Sequence, residues 1–333
     1  MSIHSKIVKA LILASSLILT ANTASAAKFN IAVGDGGGGT QEALGKKFIE
    51  EFTANTNHSA KLFLNGQLGS EQDTVNDAAI GTLDFSILAI NNVTPFSPSV
   101  GVLTLPYMIQ SLDDAITLTQ GKLGKELVEN TKRDAGVRII GWAYSGFRVL
   151  SNSKRPIETL DDLKGLVVRV PKNEIMIETY KSWGVNPTPM AWSETFTGLQ
   201  QGVIDGQDNP YITIYAMKFD EVQKYITNVR YLFSIEPLIV SESVFQDQNK
   251  ATQAAILAAG KAATEYSAKS LVTGEAKIKA ELTKRGMEIT DPANGEKEWI
   301  EKATKAVWPK FYKSVGGKDK VNAALAILGR DKV

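Results

Sequence analysis

Leu166-Val167-Val168-Arg169-Val170-Pro171 sets one charged side chain inside an aliphatic run and closes it with a proline. Just before it, Thr159-Leu160-Asp161-Asp162 caps a one-turn helix that ends at Gly165. A short β-branched run bounded by Gly and Pro reads as a buried strand, and the same punctuation recurs in both directions. Upstream, residues 29–33 (FNIAV) form a strand ended by Gly34-Asp35-Gly36-Gly37-Gly38-Gly39. Thr40 is then placed to cap a helix whose Leu44, Phe48 and Phe52 share one face. Residues 60–64 (AKLFL) are a second strand. Ser70-Glu71-Gln72-Asp73 is a capping box opening a helix that stops at Gly81, and Leu83, Phe85 and Ile87 alternate as a strand. Residues 137–142 and 149–152 read as two strands around a Ser-Gly turn. Strands alternating with helices as far as residue 235 predict α/β layers with a largely parallel sheet. Beyond about residue 247 the pattern is helical and alanine-rich, with 286–290 a weak strand signal.

The chain has 333 residues, too many for one growing core, so two lobes are expected. Its 37 basic and 36 acidic residues leave no electrostatic footprint for nucleic acid or an anionic membrane. The absence of cysteine removes disulfides, thiolate nucleophiles and zinc ribbons together. Residues 1–26 read as a signal peptide. Lys6 and Lys9 form a basic start, residues 10–19 (ALILASSLIL) an apolar stretch, and Ala24-Ser25-Ala26 a cleavage site before Ala27. That stretch is well short of the roughly 20 apolar residues a membrane span needs, and no other segment approaches it. Export to a bacterial periplasm, with no direct membrane insertion, is the expected fate.

The glycine run at 34–39 satisfies G-x-G-x-x-G after a strand and before a helix, the context of a dinucleotide-binding turn. Strand 60–64 ends in Asn65, however, where a ribose-binding acid belongs, so an exported dinucleotide-binding oxidoreductase is the alternative rather than the leading reading. Between that and a plain mobile loop lies a helix N-terminus whose amides face an anion. A P-loop fails because Lys46 is followed by Lys47, not Ser or Thr. His58 lies in a polar stretch, 55–59, and reads as a solvated loop residue rather than a base. Asp113-Asp114 and Asp161-Asp162 sit at helix starts, where capping accounts for them. Neither an enzyme, nor a cofactor, nor a metal site is expected.

Two arginines on strands carry the functional signal: Arg169, and Arg148 in Gly146-Phe147-Arg148-Val149-Leu150. A charge on a mostly buried strand is costly unless paired. Each is either a structural salt bridge or a guanidinium fork held out to a ligand carboxylate, which Arg suits better than Lys. Gly206-Gln207-Asp208-Asn209-Pro210, after an Asp-Gly turn, offers a nearby amide or simple turn chemistry.

Several of these stretches together resemble the DctP-type solute-binding proteins of TRAP transporters. They are Gln67-Leu68-Gly69-Ser70-Glu71, Gly81-Thr82-Leu83-Asp84, Leu105-Pro106-Tyr107, Gly146-Phe147-Arg148, residues 161–171 (DDLKGLVVRVP) and above all 192–210 (WSETFTGLQQGVIDGQDNP). The resemblance implies an α/β periplasmic-binding-protein fold of type II, two lobes closing like a flytrap, with integral-membrane TRAP subunits as partners. It implies Arg169 as the main carboxylate clamp, Arg148 as a second basic contact, Asn209 as a hydrogen-bond partner of the same carboxylate, and Trp192 stacked on the ligand body. Asp35 and Asn91 would meet the rest of the ligand from the first lobe, with Glu236 a further hinge candidate. The glycine run at 36–39 departs from the commoner members. The expected lobes are 27–146 plus about 235–274, and 147–234 plus about 275–333. Acidic side chains at the far end would repel a second carboxylate, so a sugar acid such as a hexuronate or aldonate is favoured over a dicarboxylate. A binding protein of an ABC importer or a chemoreceptor would share the two lobes but not the 192–210 stretch.

Overall fold

The structure is a computed structural model describing residues 26–333, so the signal-peptide reading falls outside the described residues except at its last position. The chain begins with β1 (Lys28–Val33), α1 (Thr40–Ala54), β2 (Ser59–Phe63), α2 (Glu71–Ala79) and β3 (Phe85–Ile87). Leu44, Phe48 and Phe52 of α1 are buried, the face their four-residue spacing predicts. The cap of α1 differs from expectation. Gly39 is the N-cap and Thr40 the first helical residue, with no side-chain cap bond. Ser70 and Asp73 do form the capping box of α2, and Gly81 follows that helix at φ +78°, where a side chain would be strained.

Helices α3 (Leu112–Gln120) and α4 (Lys122–Ala135) lead into β4 (Val137–Asn152), one continuous strand rather than two strands around a turn. Gly146, at φ +93°, accompanies a register shift that bends β4 without breaking it. Next come β5 (Val168–Val170), α5 (Glu174–Ser182), β6 (Thr188–Pro189), α6 (Trp192–Gln200), β7 (Gly206–Pro210), α7 (Tyr211–Ala216) and β8 (Tyr225–Thr227). Strand β9 (Phe233–Ser241) then runs antiparallel to β4. The chain ends with α8 (Glu242–Asp247), the 35-residue α9 (Lys250–Lys284), β10 (Glu288–Thr290), β11 (Ala293–Glu296), α10 (Lys297–Phe311) and α11 (Lys318–Ile327).

The strand order is β2-β1-β3-β9-β4-β7-β5-β6, with β8 joined to β4 and β10. Outer pairs such as β1–β2 and β5–β6 are parallel, whereas β3–β9, β9–β4 and β4–β7 are antiparallel. The sheet is therefore mixed rather than largely parallel. Strand β4 serves both halves: residues 137–147 pair with β9, and residues 148–152 pair with β7. One aromatic-rich core under β1, β3 and α1 holds Phe29, Phe48, Phe52 and Phe85, and a second holds Tyr180, Trp183, Tyr231 and Trp299.

His58 is buried rather than solvated. Its Nδ1 accepts the Ala27 backbone N–H at 2.9 Å, its Nε2 lies 3.1 Å from Thr252 Oγ1, and its ring stacks on Phe52. The acidic pairs act at helix starts as expected. Ser111 caps α3 through the Asp114 N–H, and Thr159 forms a capping box with Asp162. No described helix is long and apolar enough to cross a membrane.

Candidate functional site

The two halves of the sheet face each other across a small cavity. The loop after β1 delivers Asp35, the first turn of α2 delivers Glu71, and the turn after β3 delivers Asn91 and Asn92. Strand β9 adds Glu236. From the other side come Arg148 at the point where β4 passes between the halves, Arg169 on β5, Trp192 at the start of α6 and Asn209 on β7. The structure thus brings all seven residues singled out from the sequence around one space. It also adds Glu71, which the sequence marked as part of a cap and of the family-like stretch 67–71 but not as a site residue. A first-turn position lets its side chain reach past the helix end. There it accepts the Ala89 backbone N–H at 3.1 Å and the Asn92 amide.

The two arginines differ in what they touch. Arg148 Nε donates to Asp208 Oδ2 at 3.0 Å and its Nη2 donates to both the side chain and the backbone carbonyl of Asp208. Tyr231 donates its hydroxyl to the same carboxylate. Burial alone would lower the Arg148 pKa, but the Asp208 carboxylate outweighs it and holds the charge firmly. For Arg148, the salt-bridge reading is the one the geometry supports.

Arg169 has no such partner. Its Nε and Nη2 donate to the carbonyl of Met190 at 3.1 and 2.8 Å, and its guanidinium lies 5.5 Å from the centre of the Trp192 ring. No carboxylate pairs with it among the described residues, although it is almost fully buried. Burial, reinforced by the nearby charge of Arg148, depresses its pKa to about 10.

The opposite wall is acidic and underbonded. Burial, then the neighbouring Glu236 and Glu71, push the Asp35 carboxyl well above its ordinary range. Burial likewise pushes Glu236 up to about 7, with Glu71 adding to the shift and the Ser145 hydroxyl opposing it. Glu71 is also raised by burial, with the Ala89 N–H and Arg169 pulling the other way. Three buried polar atoms around the cavity make no hydrogen bond of normal geometry, Asn91 Nδ2, Trp192 Nε1 and Glu236 Oε2, although Trp192 lies close enough to Asp35, and the Ser145 hydroxyl to Glu236, to steady those carboxylates weakly. Each such group costs about 1–3 kcal/mol when left unmade, so their convergence marks a place shaped for something polar. Asn209 already donates to Gln207 Oε1 at 2.6 Å.

The cleft is shut. Gln72 Nε2 donates to the Lys172 carbonyl at 3.0 Å, Asn173 Nδ2 to the Asn91 carbonyl at 2.9 Å, and the Gly36 N–H meets Met217 Sδ at 3.1 Å. A Cβ on Gly36 would lie 2.9 Å from Asn65 Oδ1 and 3.2 Å from Met217 Sδ, so a side chain here would push both neighbours aside. Amides of the glycine run are taken up by side chains of this chain. The Asp35 N–H is taken by Gln41 Oε1, and the Gly38 N–H by a carboxylate oxygen of Glu42 at 2.7 Å. An acid already bonded to an amide of this run speaks against a phosphate there, and with it against the dinucleotide and open-amide readings. A larger hollow of about 570 Å³ lies between Gly38, Tyr144 and α9, but its lining is mostly apolar and it has no cation for an acid.

Residues 38–314 match the family profile DctP, bacterial extracellular solute-binding protein, family 7. The chain belongs to that family. A solute-binding protein of Verminephrobacter eiseniae is 33% identical over 260 residues, covering 78% of this chain and 76% of that protein. A TRAP periplasmic solute-binding protein from Polaromonas, bound to D-erythronate, superposes with a TM-score of 0.85 at 29% identity, over 90% of this chain and 98% of that one. The apo, open form of a Rhodobacter sphaeroides TRAP binding protein is closer in sequence, at 36% identity, yet superposes less well, with a TM-score of 0.74 over 91% of this chain and 99% of that one. The contacts across the cleft fit the better match to a ligand-bound form. DctP-family members are solute-binding components of transporters rather than enzymes, and the TRAP match decides against the ABC-importer and chemoreceptor alternatives.

Proposed function

We propose that this chain is the extracytoplasmic solute-binding subunit of a TRAP transporter and that it captures a sugar acid, an aldonate or hexuronate, through a single carboxylate. The observation that carries this reading is Arg169, a buried guanidinium facing a closed cavity with only a carbonyl to bond. Its planar fork suits a carboxylate, and closure of the cleft strengthens each charge-assisted bond by excluding water. Trp192 flanks the fork and covers the sugar body, while Asn209 turns its amide to the carboxylate. Arg148 acts mainly by fixing Asp208 and lending positive potential. Asp35, Glu71, Asn91 and Glu236 meet the hydroxyls.

The ligands named for related structures support the class: D-erythronate for the Polaromonas protein and L-galactonate for one from Roseobacter denitrificans. A dicarboxylate fits less well, because its far end would face three carboxyl groups. The protein is exported by cleavage after Ala26 and hands its ligand to the membrane subunits. The lobes divide as read from the sequence, with one adjustment. Val321, Ala324 and Leu325 of α11 share a core with Leu118 and Leu127, so α11 is assigned to the first lobe.

Thermal unfolding of refolded, ligand-free protein against dicarboxylates, hexuronates, aldonates, keto acids and nucleotides tests the proposal. A ligand that binds only the folded state raises the midpoint by mass action. A rise with aldonates or hexuronates is expected; a rise with nucleotides alone would overturn the reading.

A further inference from the structure

Charge is unequally divided across the cavity. Arg148 is neutralised by Asp208, which leaves Arg169 as the unpaired cation among the described cavity residues. Facing it are Asp35 from the loop after β1, Glu71 from α2 and Glu236 from β9. Glu71 lies closest in function to a fixed anion, since the Ala89 N–H and the Asn92 amide hold it. Glu236 is almost fully buried, its Oε1 has one long contact of 3.4 Å from the Ser234 hydroxyl, and its Oε2 makes no hydrogen bond of normal geometry, with the Ser145 hydroxyl as a further donor nearby. A closed, poorly solvated space does not keep three carboxylates opposite one guanidinium and then admit a further negative charge.

We infer that Glu236 and Asp35 form a specificity-determining acidic pair that holds a proton in the shut cleft, donates an O–H to a hydroxyl oxygen of the ligand, and rejects ligands with a second carboxylate at that end. This rests on the sugar-acid reading above. Two consequences follow from the geometry. Seating a carboxylate on Arg169 removes the cation that Glu71 and the pair were facing, so binding draws a proton onto the pair. Raising the pH strips that proton and weakens binding, while lowering it admits dicarboxylates that are otherwise excluded. The groups bearing on Glu236 are Asp35 and Glu71 as like charges, Arg148 as a screened opposite charge, Arg169 across the cavity, and the hydroxyls of Ser145 and Ser234. Burial and the neighbouring carboxylates push both members of the pair upward, in the direction the proposal needs.

The test has two arms. In the first, L-galactonate, D-glucuronate and the dicarboxylate galactarate are titrated calorimetrically into the exported protein at about pH 5.5 and 8, in buffers of different ionisation enthalpy. Proton uptake on binding is expected near neutral pH. Galactarate should bind at least about tenfold more weakly than the monocarboxylates at the higher pH, with the gap closing at the lower. Glu236→Gln, and separately Asp35→Asn, should flatten the pH dependence and narrow the gap. Proton-neutral binding with unchanged discrimination at both pH values would overturn the inference.

The second arm needs no ligand. The pH dependence of thermal stability is compared between the wild type and Glu236→Gln. A carboxyl raised in the folded state favours folding at low pH and loses that contribution as pH rises from its unfolded value, about 4.5, through its folded one. The glutamine variant should therefore gain on the wild type between about pH 5 and 8. Parallel curves would sink the held proton even if no sugar acid bound. Diverging curves without sugar-acid binding would uphold the acidic pair and remove the sugar-acid reading instead.

Discussion

Replacing Arg169 with methionine should make the empty protein more stable. The side chain keeps a long apolar stem, so the change chiefly deletes a buried charge. A guanidinium pKa depressed from 12.5 to about 10 means that the folded state disfavours the charged form. At 1.36 kcal/mol per unit, that is about 3 kcal/mol. The sign holds throughout the usable range, since the penalty is fully present below pH 10 and fades only as the pH approaches 12.5. Against it stand two hydrogen bonds to the Met190 carbonyl and the stacking on Trp192, together about 1–2 kcal/mol. A net gain of about 1–2 kcal/mol remains, a rise of about 2–3 degrees in melting temperature for a chain of this size. Differential scanning calorimetry of ligand-free protein at neutral pH reads it directly. A variant melting several degrees below the wild type would refute the reasoning, because Arg169 would then be holding the resting structure together instead of waiting for an anion.

The other arginine should behave oppositely. Arg148→Met leaves Asp208 buried with Tyr231 as its remaining side-chain partner, and denaturant melts should show a loss of about 3–5 kcal/mol. Gly36→Ala places a methyl 2.9 Å from Asn65 Oδ1 and 3.2 Å from Met217 Sδ in the closed form. Asn65 belongs to the same lobe and both neighbours are flexible side chains, so thermal stability should stay near the wild type, while the methyl opposes the Gly36–Met217 approach across the cleft and lowers affinity for a sugar acid. Arg169→Lys should bind poorly in the same titration, because an ammonium does not offer two parallel donors.

Much of the architecture was legible because local signals agreed. The spacing of Leu44, Phe48 and Phe52 marks the buried face of α1, Ser70 and Asp73 mark the start of α2, and the charge in 166–171 marks β5 and its arginine. The failures arise where long-range packing decides. Strand β9 is wholly buried, yet Glu236 and Pro237 interrupt its apolar run, and a proline usually speaks against a central strand. Without β9 the antiparallel heart of the sheet is invisible. Gly146 resembles a turn residue because the bulge that uses it depends on the partner strand. His58 sits among polar neighbours, and only the return of α9 and the start of β1 enclose it. Glu71 was hidden by its own helix, where an acid in the first turn is already explained. The family resemblance ranked Arg169 above Arg148, but the salt bridge behind that ranking was not readable from the residues, since Asp208 reaches Arg148 through the register of β4 and β7.

The central claim is that Arg169 awaits a ligand carboxylate. Isothermal titration of the wild type and Arg169→Ala with D-glucuronate, L-galactonate and the methyl ester of D-glucuronate tests it most directly. The account predicts that the wild type binds at least one of the two acids and not the ester, and that the variant, folded and at least as stable, binds neither acid. Equal affinity of the two proteins for an acid, or of the wild type for D-glucuronate and its ester, would contradict it.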